Sequence, residues 1–349
     1  TVTVNELLDH FIEWCEMRHK NGQRMGSSHL KTIKAQSRNH IRPAIGRYKM
    51  TDLTFNILDN WARTLTHTPS LAPRTVRSIL HFFKMATDYG MRRGWANRNL
   101  TSEVMQDYRS GARARIRTFS KIEVQAILSN LQTKPLRIFD RTWRLQRCFV
   151  YLATFCGLRI GEINGLRVEN IDFEGHVLEV RHNLTAAGEL KGPKTRSGIR
   201  DVPMPAIVEQ ELRNWLASFY QANEDGLIFR GRNGGQISHA QWHVRYWQPL
   251  LDRCLLGPDE KGRRFHFHAL RHFCASMLVE QGVPLTDAAE LLGHSSFDMT
   301  LQVYAHAIMA SQKRIEVLQS VADSLLPPVA VLTLRQQDKL PDLASLAAG

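Results

Sequence analysis

The chain has 349 residues, a formal net charge of +13 and an isoelectric point near 9.8, so it has room for two cored domains and favours an acidic partner. It contains no apolar run long enough to form a bilayer-spanning helix, and no signal peptide is read at its start, so no membrane partner is expected. The five cysteines (Cys15, Cys148, Cys156, Cys254, Cys274) are odd in number and lack metal-ligand spacing; a disulfide framework is excluded in favour of core thiols in a reducing compartment.

The charge is unevenly placed. Residues 1–120 hold 20 Lys and Arg against 9 Asp and Glu, whereas the remainder holds 26 against 24. That asymmetry predicts a basic, DNA-gripping first domain joined to a nearly balanced second one.

Residues 4–19 open as an amphipathic helix through Leu7, Leu8, Phe11, Ile12 and Trp14. A second helical stretch over 28–40 carries Lys31, Lys34, Arg38 and His40. A third is expected over 53–65, with Thr51 and Asp52 as capping candidates. In the fourth, over 73–90, Val76, Ile79, Leu80, Phe83 and Ala86 recur at helical spacing and Arg74, Arg77, His81 and Lys84 take other positions. Such cations form an ordinary solvated face or a face laid against DNA phosphates. We take Lys31, Lys34, Arg74, Arg77 and Lys84 as candidate DNA contacts, together with Arg113 and Arg115 of the basic stretch that follows. The expected organisation is a helical core-type DNA-binding domain over 1–105, a basic extended linker over 106–118, a catalytic domain over 119–315 and a C-terminal helix and tail over 316–349.

After the linker, Ser120 and Glu123 make a capping box that restarts helical structure. A largely apolar helix over 144–157 breaks at CGLRIGE. Short β-like runs over 168–182 and at IRDVPM, separated by Gly-Pro and Ser-Gly turns, predict a small antiparallel sheet. Helices are expected again over 207–220 and 239–251, and a further amphipathic one over 308–326. The fold class is therefore mainly α with a small antiparallel β-sheet.

Chemistry concentrates in residues 265–304, which bring His268, Arg271, His294 and Tyr304 within forty residues. A tyrosine oxygen nucleophile, a guanidinium fork that fits phosphate, and two histidines suit a phosphate-handling site. Each residue alone is commonplace in helical packing. His266, His268 and His272 lack a convincing fourth ligand and enclose an arginine, which argues against zinc.

GLRIGEINGL at 157–166, PKT around Lys194, HALRH at 268–272, LGH at 292–294 and Tyr304 form an ordered series. This series resembles the tyrosine recombinase family, the lambda-integrase-like site-specific recombinases, and the likeness covers essentially the whole chain. The resemblance implies the family's two-domain architecture. Its paired active-site arginines are then Arg159 and Arg271, its hairpin lysine Lys194, its two histidines His268 and His294, and its nucleophile Tyr304. Glu162 matches the acidic residue one turn after the first arginine and is expected to be a buried partner holding the site in place. Ala269 departs from the aspartate many members carry, but lies beside the catalytic set.

What the resemblance implies is metal-independent, cofactor-free cleavage and rejoining of DNA through a covalent 3′-phosphotyrosine, with strand exchange through a Holliday junction between sites of a mobile element. Two arginines facing the non-bridging oxygens stabilise the transition-state charge and favour the phenolate. Lys194 is the expected acid for the 5′-oxygen, His268 a proton-transfer partner of Tyr304, and His294 a donor to a phosphate oxygen. The implied partners are double-stranded recombination sites, a homo-tetramer on two duplexes, and accessory bending or directionality proteins. The implied setting is the cytoplasm, at the nucleoid. The few residues before the first helix cannot form the arm-type-site domain that some larger integrases carry, so either the architecture is the simpler one or the chain has been cut. Two other readings stay open: a type-IB-topoisomerase-like relaxing enzyme, and a non-catalytic sequence-specific DNA-binding protein, which would explain the charge but not the series.

Overall fold

In the computed structural model the described residues are 2–22, 25–108, 118–186, 188–192, 196–260 and 262–293. Lys194, His294, Tyr304, Arg113, Arg115 and the expected helix at 308–326 lie outside them.

The first half is helical throughout. α1 (Val4–Lys20) begins with a capping box in which the Thr3 hydroxyl accepts from the Glu6 amide and the Glu6 carboxylate accepts from the Thr3 amide. α2 (Ser27–Gln36) runs through a wider π-type turn at Ser37–Ile41 into α3 (Arg42–Ile45). α4 (Phe55–Thr66) starts later than its apolar pattern predicts. Its cap is Thr54, which accepts from the Ile57 amide, while Thr51 and Asp52 lie in the preceding turn. α5 (Pro73–Met91) places proline in its first turn, where the missing amide hydrogen costs nothing. α6 (Leu100–Asp107) runs into the stretch expected to be an extended linker, so residues 106 and 107 are helical instead. The Asn99 side chain accepts from the Ser102 amide and donates to Asp88 and to the Lys84 carbonyl, so α6 is nucleated against α5. Leu7, Leu8 and Phe11 of α1, Ile33 of α2, Trp61 of α4, Ile79, Leu80 and Phe83 of α5 and Val104 of α6 share one buried core.

A second core begins at Phe119. Ser120 and Glu123 form the expected reciprocal cap on α7 (Lys121–Gln132). α8 (Asp140–Phe155) is buried almost all round from Leu145 to Thr154, with α7, α10 (Ala206–Phe219) and α13 (His268–Glu280) packed about it. α9 (Ile160–Asn164) is a single turn. The predicted sheet is present as β1 (Ile171–Asp172), β2 (Val177–Val180) and β5 (Arg200–Pro203), antiparallel, with β2 central and Val180 opposite Arg200. A separate hairpin pairs β3 (Asn183–Leu184) with β4 (Leu190–Lys191). α11 (His239–Gln241) passes through a π-type segment into α12 (Gln248–Arg253). Trp215 and Trp247 are fully buried, and each indole donates to a backbone carbonyl, of Ile228 and Phe265. α14 (Leu285–Leu292) ends the described chain at Gly293.

No helix among the described residues is long and apolar enough to cross a membrane.

A candidate active site of three arginines around one carboxylate

Three elements converge on Glu162. Helix α9 opens at Arg159, whose amide donates to Glu162 Oε2 at 2.9 Å and whose Nη1 donates to Oε1 at 2.6 Å. From the sheet, Arg200 reaches the same carboxylate with both terminal nitrogens, at 3.2 and 3.0 Å. Arg271, on the first turn of α13, lies 3.8 Å from Oε2. Glu162 is 5% exposed and Arg271 1%. Glu162 is thus buried and hydrogen bonded to both Arg159 and Arg200.

Burial alone would raise the Glu162 carboxyl pKa. Arg200, then Arg271 and Arg159, more than reverse that and hold it at about 2. For Arg271 burial acts in the opposite sense, and with the like charge of Arg159 it brings the guanidinium down to about 9, still charged at neutral pH. Three guanidiniums against one carboxylate leave two positive charges uncompensated in a desolvated place. Arg159, whose side chain is 30% exposed, is the solvent-facing member.

The same arginines also finish a helix. The last carbonyls of an α-helix lack intrahelical donors and carry the negative end of its dipole. At the end of α14, Arg200 Nε donates to Leu291 O at 2.7 Å, Arg271 Nη2 donates to Leu292 O, and Arg159 Nη2 donates to Gly293 O at 2.9 Å. Arg271 Nη1 further donates to Gly157 O at 2.5 Å. Gly293 has φ +64°, and a Cβ there would meet Ser197 O at 2.7 Å, so only glycine ends the helix this way. Gly157 is fixed likewise, at φ +63°, with a Cβ position 2.3 Å from a Leu292 methyl. The residue after this three-arginine cap is His294.

His268, the first residue of α13, is exposed one turn from Arg271. Its ring centroid is 4.6 Å from that of His272, edge to face. His272 is held neutral, its pKa lowered to about 4 by burial and by Arg271. A cavity of about 740 Å³ opens beside His268 and is lined by His243, His266, Arg264 and His272 among others. Among the described residues no three His, Cys, Asp or Glu side chains are grouped to hold a metal ion.

Arg159, Glu162 and Arg271 are thus brought together, and His268 lies one turn before Arg271 on α13. Arg200 was missed by the motif reading. Its signal is the period-two pattern of the strand: Arg200 and Val202 both point inward while Asp201 and Pro203 do not. Five candidate DNA contacts are described. Lys31, Arg74 and Arg77 are exposed on α2 and α5, which are joined by a Gln36–Ser78 hydrogen bond. Arg77 also donates weakly to Tyr108 O at 3.4 Å. Lys34 is paired with Glu16 at 2.5 Å and Lys84 with Asp88 at 2.9 Å, so part of their charge is spent within the protein.

The sequence profile of the phage integrase family matches residues 117–311. A "Tyrosine recombinase XerC-like" protein of Caldanaerobacter subterraneus subsp. tengcongensis is 29% identical over 67% of this chain and 63% of its own length. "Tyrosine recombinase XerC" of Pseudomonas aeruginosa is 34% identical over 47% of this chain and 48% of its own. The aligned part therefore spans between about half and under two thirds of these relatives. Among solved structures, a Tn1549 transposon integrase in complex with a circular intermediate DNA superposes with a TM-score of 0.74 at 20% identity, over 92% of this chain and 100% of that one. A lambda integrase dimer bound to a COC′ core site gives 0.63 at 17%, over 86% and 95%. Both show the shared fold, helical with small antiparallel sheets. The profile match across more than half the chain places it in the phage integrase family, the tyrosine recombinases.

Proposed function

We propose that this chain is a metal-independent DNA strand transferase that recombines specific sites. The supporting observation is the charge count at Glu162. A phosphodiester carries one negative charge and the pentacoordinate species formed during its cleavage approaches two. Two uncompensated guanidinium charges, with Arg159 turned to the solvent side of the cluster, match the second state better than the first, which is the condition for lowering a barrier.

In this reading the Tyr304 oxygen attacks the phosphorus, the P–O5′ bond breaks, and a 3′-phosphotyrosine conserves the bond energy for rejoining. Arg159 and Arg271 face the non-bridging oxygens, Lys194 protonates the departing 5′-oxygen, His268 takes the phenol proton, and His294 donates to a phosphate oxygen. The three-arginine cap supports the last assignment, because it fixes the residue immediately before His294. Residues 1–105 form the core-type DNA-binding domain, 106–118 the linker, 119–315 the catalytic domain, and 316–349 a segment that docks on a neighbouring protomer. Exchange through a Holliday junction needs four protomers on two duplexes, and accessory DNA-bending or directionality proteins fit the same scheme. The fold shared with a transposon integrase supports a mobile-element role. The site of action is then the cytoplasm, at the nucleoid.

Covalent capture tests this. The protein is incubated with supercoiled or nicked DNA carrying candidate sites, in chelator, and then denatured. The expected product is protein attached to a 3′-phosphate that disappears in Tyr304→Phe. An adduct that persists in that variant moves the nucleophile elsewhere. No adduct on specifically bound DNA leaves a binding protein, and relaxation without exchange between two sites indicates a topoisomerase.

A further inference from the structure

Arg200 lies outside every motif of the ordered series, yet nearly all of its guanidinium N–H groups are engaged in the site. Nη1 and Nη2 each hold one oxygen of Glu162, Nη1 also reaches Gly198 O at 3.4 Å, and Nε holds Leu291 O. Strand β5 delivers it there, because the alternation that buries Val202 also buries Arg200, which is 7% exposed. Gly293 leaves room for it, since a Cβ at that position would lie 2.9 Å from Arg200 Nη1. An arginine so buried and so fully bonded does not reach a phosphodiester.

The other two guanidiniums keep donors free. Arg159 engages Nη1 with Glu162 and Nη2 with Gly293 O, while its Nε bonds none of the described residues. Arg271 Nε is buried and has no partner among the described residues. A buried donor left without a partner is costly unless a ligand completes it. The donors available to a phosphate therefore belong to Arg159 and Arg271. Among the described side chains, Arg200 alone donates to both oxygens of Glu162.

This division decides how much charge a phosphate meets. Without Arg200, the Glu162 carboxylate would take Arg159, already bonded at 2.6 Å, as its counter-ion, with Arg271 at 3.8 Å. One positive charge would then remain for the phosphate in place of two. We propose that Arg200 is a positioning residue of the reaction: as the standing counter-ion of Glu162 it leaves Arg159 able to turn to the scissile phosphate, and it sets the charge offered there at two. The identity of that phosphate rests on the strand-transfer reading; the sharing of charge does not.

Three variants separate charge from structure. Arg200→Met removes the counter-ion. Arg200→Lys keeps the charge without the paired bonds. Arg200→Met combined with Glu162→Gln removes one charge of each sign and restores a net of two. Single-turnover adduct formation is followed at saturating protein, with DNA affinity measured alongside. Arg200→Met is expected to slow the step about a hundredfold with affinity changed less than about threefold, and Arg200→Lys to slow it about tenfold or less. The double variant is expected to recover about tenfold over Arg200→Met. A purely structural arginine predicts no recovery, because the double variant still lacks the bond to Leu291 O; that result overturns the proposal, as does Arg200→Lys being as slow as Arg200→Met. Should Arg200→Met fail to fold, the double variant is compared with Glu162→Gln, and a double variant no faster than that overturns the proposal as well.

Tungstate, a tetrahedral dianion at neutral pH, probes the charge without DNA chemistry. By calorimetry the unsubstituted chain and the double variant are expected to bind it about tenfold more tightly than Arg200→Met, and equal affinities overturn the proposal. The expected tungstate pattern in a chain that forms no adduct keeps the division of charge and sinks the strand-transfer reading. Adduct formation by the unsubstituted chain, with no recovery in the double variant, sinks the role of Arg200 alone.

Discussion

At the scale of single residues, Glu162 decides whether the arginines are tolerable. Replacing it by glutamine leaves three guanidiniums with no counter-charge in a buried site, and breaking a buried pair on one side costs roughly 3–5 kcal/mol. We expect Glu162→Gln to lower the denaturant midpoint by a corresponding amount and to abolish adduct formation; a variant of unchanged stability would show that the cluster is balanced elsewhere. The acid side of the stability profile follows from two groups. His272 has a folded-state pKa of about 4 against 6.5 for the free side chain, so the unfolded chain takes up the proton first and stability is lost as pH falls from 6.5 towards 4. Glu162, at about 2 against 4.5, adds a further loss as pH falls from 4.5 towards 2. Urea titrations should therefore show stability declining from pH 6.5 to 4 by at most roughly 3 kcal/mol on account of His272, with a flatter profile in His272→Gln. Arg159, Glu162 and Arg271 were legible in the sequence because each sits in a short motif with fixed spacing. Arg200 was not, because its burial depends on strand pairing that brings it opposite Val180. The ion pair of Lys34 was not legible for a related reason: its partner, Glu16, comes from another helix. The Lys84–Asp88 pair, one turn apart, could have been read directly.

Among the elements, the end of α14 carries the sharpest constraint. Gly293→Ala forces a Cβ into the left-handed region, at about 1–2 kcal/mol, and against Ser197 O. The turn before His294 would shift relative to the arginines that hold it. The expected result is a modest loss of stability with a much larger loss of cleavage rate and little change in DNA affinity; equal losses in affinity and rate would contradict a local effect. Helix positions in the first half were legible from apolar spacing, since α1 and α5 each bury one stripe. Their starts were less so. The true cap of α4 is Thr54, where the extended backbone lets the hydroxyl reach the Ile57 amide, and α6 forms because Asn99 finds Asp88 and the Lys84 carbonyl on α5. Both depend on local backbone geometry or tertiary contact that periodicity does not encode.

Taken as a whole molecule, the chain separates its charge from its chemistry. Grip on DNA should come chiefly from the basic first half and be strongly salt dependent. Lys31→Ala and Arg74→Ala should each reduce the slope of log affinity against log salt by about 1, whereas Lys84→Ala should change it little because Asp88 already neutralises that charge. A full-sized slope change in the Lys84 variant would mean that the ion pair breaks on binding. Two separate cores were anticipated from length and from the basic stretch between them, and the sheet from its turn residues.

The three-arginine cap on α14 has an evolutionary corollary. Arg159, Arg200 and Arg271 are bound to backbone carbonyls as well as to Glu162, so a descendant that lost its nucleophile and served only as a DNA-binding protein would still need them to keep its fold. Selection for foldedness alone would preserve most of the apparent catalytic signature. In this lineage the arginines therefore mark a living enzyme only in company with the tyrosine nucleophile.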